Sequence, residues 1–204
     1  NYQFANAVNY RHLVKFDENE PDFVREYTPE RISEMMQKAR EKGFFVTYNH
    51  PSWAKEFYPD YINYKGMHAI EMFNGDCIRS GFEDYNPRVY DDFLNVGNMI
   101  YCVGGDDNHN ASADDSRWSD SGWAYTMIKA DSLDYSAITD ALVKGNFYAS
   151  EGPEIHELWV DDDNVVHLRC SPADHVFVTF DIRCCAPAWA ENGNLITEHS
   201  FGLP

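Results

Sequence analysis

The stretch TPERISEMMQKAREKGFFVTYNHP, running from Thr28 to Pro51, reads as a helix followed by a strand and decides the fold class. Thr28 is suited to cap the helix and Pro29 to its first turn, while Ile32, Met35, Met36 and Ala39 recur at helical spacing through about Lys42. Gly43 ends the helix, and Phe44-Phe45-Val46-Thr47-Tyr48 follows as a short apolar strand. The same alternation continues downstream. Met67–Phe73 reads as a strand, Pro87–Asn95 as a helix, and Asn98–Val103 as a buried strand ending in Gly104-Gly105. Gly122–Lys129 reads as another strand and Ser136–Lys144 as a helix closed by Gly145. Strands alternating with helices over 28–145 predict an α/β domain built on a parallel sheet or barrel.

The texture changes after Gly152-Pro153. Short alternating runs at Glu157–Val160, Val165–Arg169, His175–Phe180 and Leu195–Glu198 are separated by turn-forming residues, as in Asp161-Asp162-Asp163-Asn164 and Asn192-Gly193-Asn194. This predicts antiparallel β structure without a helix. Roughly 50 residues are marginal as an independent β domain, so 154–204 is expected to pack as a small extension on a domain spanning 1–153.

The chain has 204 residues, of which 44% are hydrophobic and 25% charged, the composition of a globular protein. Sixteen Lys and Arg against 34 Asp and Glu give a net charge of −18, which repels a phosphate backbone and argues against nucleic-acid polymers as partners. No apolar run is long enough to span a membrane. The five cysteines contain no C-x-x-C spacing, so they are read as reduced, mostly buried thiols rather than a zinc ribbon or a redox site. Asn1 is followed by no charged-then-apolar leader, and the start is expected to be trimmed. Compartment and oligomeric state stay open.

Functional residues of parallel α/β architectures gather at the C-terminal ends of strands. Three strand ends here carry metal-type ligands: Asn49-His50-Pro51, then Glu71 ahead of Phe73-Asn74-Gly75, then Gly104-Gly105-Asp106-Asp107-Asn108-His109. Each has an ordinary alternative. His50 before a proline can be a turn residue, Glu71 a salt-bridged carboxylate in an apolar strand, and Asp106, Asp107 and His109 a polar loop. Their coincidence at successive strand ends favours a divalent metal site, with a mixed nitrogen and oxygen donor set suited to Zn, Mn or Fe.

Tyr48-Asn49-His50-Pro51, Ile70-Glu71-Met72-Phe73-Asn74, Gly105-Asp106-Asp107-Asn108-His109 and the segment from Ala141 to Pro153 occur in this order. Together they resemble the PHP (polymerase and histidinol phosphatase) superfamily of metal-dependent phosphoesterases, in its bacterial form with a β-rich C-terminal extension. The resemblance implies a distorted (β/α)7 barrel with two or three divalent metals in a cleft at its strand ends. It implies His50, Glu71, Asp107 and His109 as metal ligands, Asp107 and His109 as catalytic, and Asp106 as a neighbour of that set. It further implies hydrolysis of a small phosphorylated substrate by a metal-bound hydroxide.

The family's opening His-x-His is absent, since no two of the eight histidines are separated by one residue. His12 is read as structural. The chain is therefore expected to be an excerpt lacking the first barrel strands, with a C-terminal extension that also continues beyond Pro204. Four ligands suffice for one metal and part of a second, so weak activity or none is expected of these 204 residues. Lys55 and Arg79, on the loops after His50 and Glu71, are the nearest candidates for gripping phosphate.

The alternative is a non-catalytic module. Trp53, Phe57, Tyr58, Tyr61 and Tyr64 crowd one loop and could stack a sugar or nucleoside, with the β extension docking a protein partner. His156, His167, His175 and His199 lie in or beside alternating strand patterns and are expected to bind no metal.

Overall fold

A computed structural model describes residues 27–109, 119–180 and 183–203. His12 lies outside them. The chain divides into two compact units with the boundary between Glu151 and Gly152.

In the first unit, helix α1 (Pro29–Glu41) begins where the Thr28 hydroxyl accepts from the Arg31 N–H at 3.3 Å, and it buries Ser33, Met36 and Ala39. Gly43, at φ 83°, ends it by a left-handed turn that L side chains resist. Phe44 is pulled back into that closure, its N–H donating to the Ala39 carbonyl at 3.1 Å. The apolar run therefore becomes strand only at its end, as β1 (Thr47–Tyr48). Two single-turn helices, α2 (Pro51–Ala54) and α3 (Tyr58–Tyr61), follow, and then β2 (Ala69–Asn74). Helices α4 (Gly75–Ser80) and α5 (Pro87–Asn95) lead to β3 (Tyr101–Gly105). β1, β2 and β3 form a parallel sheet in sequence order, with Thr47 beside Ala69 and Ala69 beside Tyr101.

The core under this sheet is unusually aromatic. Tyr48, Tyr61, Tyr64 and Phe93 are all buried and meet edge-on or tilted, with Met36, Met67, Ile70 and Ile100 around them. Such rings leave hydroxyls to satisfy. Tyr61 donates to Asp92 at 2.7 Å, and Tyr48 and Tyr64 each donate to Glu56 at 2.6 Å.

The expected (β/α)7 barrel is not what the chain forms. Among the described residues the strands lie in four small separate sheets, only one of them parallel. After β3 comes β4 (Tyr125–Ile128), then α6 (Tyr135–Lys144) and β5 (Phe147–Ser150), and β4 pairs with β5 antiparallel. The cause lies at Gly104. Its N–H donates to the Thr126 hydroxyl at 3.0 Å and its carbonyl accepts from that hydroxyl at 2.8 Å. A side chain thereby occupies backbone groups through which a fourth strand would continue the ladder. The approach is close enough that a Cβ on Gly104 would meet the Tyr125 carbonyl oxygen at 2.9 Å. Barrel closure needs the ladder to pass on from strand to strand, and here it stops at β3.

In the second unit, β6 (Ile155–Val160), β7 (Val165–Ala173) and β10 (Ile196–Gly202) form an antiparallel sheet in the order β10-β7-β6. β8 (His175–Phe180) and β9 (Cys184–Trp189) form a separate antiparallel pair. β9 contains Pro187, which lacks an N–H and is tolerated in a strand with a free edge. No described helix is long and apolar enough to cross a membrane.

Candidate functional site

The ends of β1, β2 and β3 bring four of the expected residues to one rim. His50, two residues past β1, caps α2 in a left-handed conformation, φ 38°. Asp107, two residues past β3, is left-handed as well, at φ 51°. A residue with a Cβ held at positive φ is strained, and such strain concentrates where a side chain must be aimed. Glu71 lies within β2, where the register with β3 shifts between Glu71 and Phe73.

The contacts form a chain across the rim. The Glu71 Oε2 accepts from the His50 backbone N–H at 2.7 Å and from the Asn74 side-chain amide at 2.8 Å. The same Asn74 nitrogen donates to Asp107 Oδ2 at 3.2 Å. Asp107 Oδ1 lies 4.0 Å from His109 Nε2. Burial pushes the Glu71 carboxyl above the usual range, the Asn74 and His50 contacts oppose that rise, and the Asp107 charge adds to it. No Lys or Arg pairs with Glu71 or Asp107 among the described residues. The Nδ1 of His50 is buried and makes no hydrogen bond among the described residues. Its ring stands edge-on to Trp53 at 5.0 Å.

Asn74 is the residue that sequence reasoning left without a role. It is fully buried and bonds in three directions, its carbonyl oxygen also accepting from the Cys77 N–H at 2.9 Å to start α4. The signal in the sequence is ambiguous, because Asn after a strand is already explained as a helix cap. Asp120 was missed too. It is buried, accepts from the His109 backbone N–H at 3.3 Å and pairs with Arg79 at 3.3 Å. Asp106 faces away from the ligand set. Its carboxylate accepts from the N–H groups of Gly122, Trp123 and Ala124, tying the approach to β4 against the end of β3.

The two candidate cations have different surroundings. Arg79 pairs with both Asp76 and Asp120, so it serves as a strut of the rim and not as a free phosphate grip. Lys55 is exposed, with its ammonium 5.6 Å from the centre of the Phe82 ring. Cys77, beside Asn74, is buried and pushed up to about 11 by burial and by the Glu71 and Asp107 carboxylates, so its thiol stays protonated.

Among the described residues, no three His, Cys, Asp or Glu side chains stand gathered as a finished metal cluster. The donor set nevertheless fits a divalent ion in its chemistry. It combines two carboxylates that no described Lys or Arg pairs with and a buried imidazole nitrogen that has no hydrogen-bond partner among the described residues.

The aromatic loop splits into two groups. Tyr61 and Tyr64 belong to the core, whereas Trp53, Phe57 and Tyr58 are exposed. In the second unit the histidines have partners of their own. His167 joins Asp161 at 2.7 Å and Ser200 at 2.9 Å, while His156 lies 3.5 Å from Glu154. His175 stacks on Phe177 and His199 meets Phe201 edge-on. The Ser200, His167 and Asp161 chain has the connectivity of a nucleophile relay. It lies across the open pairing of β7 with β10, where water is not excluded, and it works as a cross-strand clamp. Compared with known proteins, the chain matches no family model, and no curated protein or solved structure is significantly similar to it.

Proposed function

We propose that the chain is a metal-dependent hydrolase of phosphate esters, with His50, Glu71, Asp107 and His109 holding a divalent ion such as Zn, Mn or Fe. The observation that carries the reading is uncompensated charge at the rim. Glu71 and Asp107 meet on one neutral amide, and His50, whose backbone N–H is bonded to Glu71, has a buried Nδ1 without a hydrogen-bond partner among the described residues. A divalent ion there would neutralise the two carboxylates and give the His50 imidazole an acceptor for its lone pair once the side chains close on it.

When bound, such an ion activates water and neutralises charge on the phosphoryl oxygens. The chain's own residues do the remainder. Asn74 fixes the spacing of the two carboxylates, and Asp120 holds the His109 backbone through its N–H. Of the two candidate cations, the exposed Lys55 is the one placed to meet an incoming phosphate, since Arg79 is engaged by Asp76 and Asp120. The local motifs that resemble the PHP superfamily support the same chemistry. Ligands for one ion, where that family uses several, make slow turnover the expectation.

The test is hydrolysis of p-nitrophenyl phosphate with added Zn, Mn or Fe. Activity is expected to vanish in a chelator and to fall at least about 100-fold in Asp107→Ala. Turnover that survives both would remove the reading.

A further inference from the structure

A cavity of about 750 Å³ adjoins the rim, with Asn49 and His50 in its lining, and the proposed chemistry leaves it unused. Its other lining residues carry a consistent signature. Tyr27 and Trp53 are exposed aromatics on its wall, and Met35 and Met36 add polarizable apolar surface. Glu56 is the half-buried carboxylate of this cavity, and each of its oxygens accepts a tyrosine hydroxyl at 2.6 Å, from Tyr48 and Tyr64. Each hydroxyl has one proton to give, and both are given to Glu56. Neither is left to donate to an anionic ligand.

The charge points the same way. Asp60 also lines the cavity, and Arg31, the one Arg or Lys among its described lining residues, is paired with Glu34 at 2.8 Å. The remaining charge is negative. Aromatic rings and a fixed carboxylate around a half-open cavity form an environment that favours an ammonium group, above all a methylated one with an apolar shell.

We infer that this cavity binds an ammonium group, and that the substrate is a zwitterionic phosphate ester whose alcohol portion carries it. The phosphate would lie at the rim beyond His50 and the ammonium beside Glu56. A zwitterion also meets the difficulty posed by a net charge of −18, because its cationic end offsets the repulsion felt by its phosphate. The substrate half of the inference rests on the phosphoesterase reading, while the ammonium half stands without it.

Calorimetry on the full chain in a chelator, with choline and its uncharged isostere 3,3-dimethylbutanol as probes, tests the ammonium half. Choline is expected to bind at least about ten-fold more tightly than the isostere, and Glu56→Gln to remove that preference. Trp53→Leu, at an exposed position with little risk to folding, is expected to weaken choline several-fold. Equal binding of the two probes, or a preference unchanged in both variants, would overturn the cavity assignment. In a second arm, hydrolysis of phosphocholine is compared with 3,3-dimethylbutyl phosphate in the metal-loaded protein. Faster turnover of phosphocholine, lost in Glu56→Gln, is expected. Choline binding without hydrolysis of either ester would instead leave the cavity assigned and overturn the substrate half together with the phosphoesterase reading.

Discussion

Glu71 and Asp107 are tied to the same donor: the Asn74 side-chain nitrogen lies 2.8 Å from one carboxylate and 3.2 Å from the other. A neutral amide can hold two anions at a set distance, but it cannot neutralise them. The pair is thus spaced by the fold, with no Lys or Arg among the described residues to neutralise it.

Asn74→Leu should be strongly destabilising, because it removes the donor to both carboxylates and the acceptor for the Cys77 N–H in a fully buried site. A loss of about 2–4 kcal/mol is expected in urea unfolding of the metal-free protein. A loss under about 0.5 kcal/mol, the range of ordinary surface substitutions, would mean that the amide does not organise the rim.

Glu71→Gln should do the opposite. The amide can still accept from the His50 N–H, while the buried charge is gone. Since burial raises the Glu71 carboxyl, its charged form weakens the fold as pH rises above the ordinary glutamate range. The variant should therefore gain roughly 1 kcal/mol at neutral pH without metal, and lose metal binding. Reduced stability at neutral pH would show that the ionised carboxylate holds the fold together.

Three core tyrosines set the alkaline limit. Tyr61 is pushed up to about 12 by burial and its bond to Asp92, and Tyr48 and Tyr64 are raised further by burial and their bonds to Glu56. The folded state keeps protons that the unfolded chain releases near the ordinary tyrosine value, so stability falls as pH rises from about 10. Tyrosinate absorbance should show these three ionising only together with loss of circular dichroism. Ionisation of every tyrosine at about pH 10 in a still-folded chain would contradict the buried network.

The second unit has an acid-side counterpart. Asp161 is held below the usual carboxyl range by His167 and by the Val165 N–H. Its contribution is present above the ordinary aspartate value and lost as pH falls through the lowered one. His167→Ala should raise the Asp161 value, read by carboxyl NMR, and weaken the turn between β6 and β7 at neutral pH while flattening its response to acid. An unchanged Asp161 titration would remove His167 from that role.

Much of the rim was legible because a strand end is visible where an apolar run stops. His50 and Asp107 mark such ends, and Glu71 stands out as a charge within an apolar run. What could not be read were pairings over distance. Thr126 bonds to Gly104 and ends the parallel ladder, yet a lone Thr in a strand carries no sign of that. Arg79 looked free because Asp120 is remote in sequence. The aromatic loop could not be divided for a related reason: core and surface rings are chemically alike, and only the fold sends Tyr64 inward and leaves Trp53 outside. β9 escaped notice because Pro187 argues against a strand unless the strand has a free edge.

The central claim is that the rim holds a divalent ion, and direct measurement of metal bound per chain tests it. Protein equilibrated with Zn or Mn and then desalted should retain about one ion per chain, and His50→Ala and Asp107→Asn should each weaken retention at least about ten-fold. Absence of retained metal in the unaltered chain, or retention unchanged in both variants, would contradict the account.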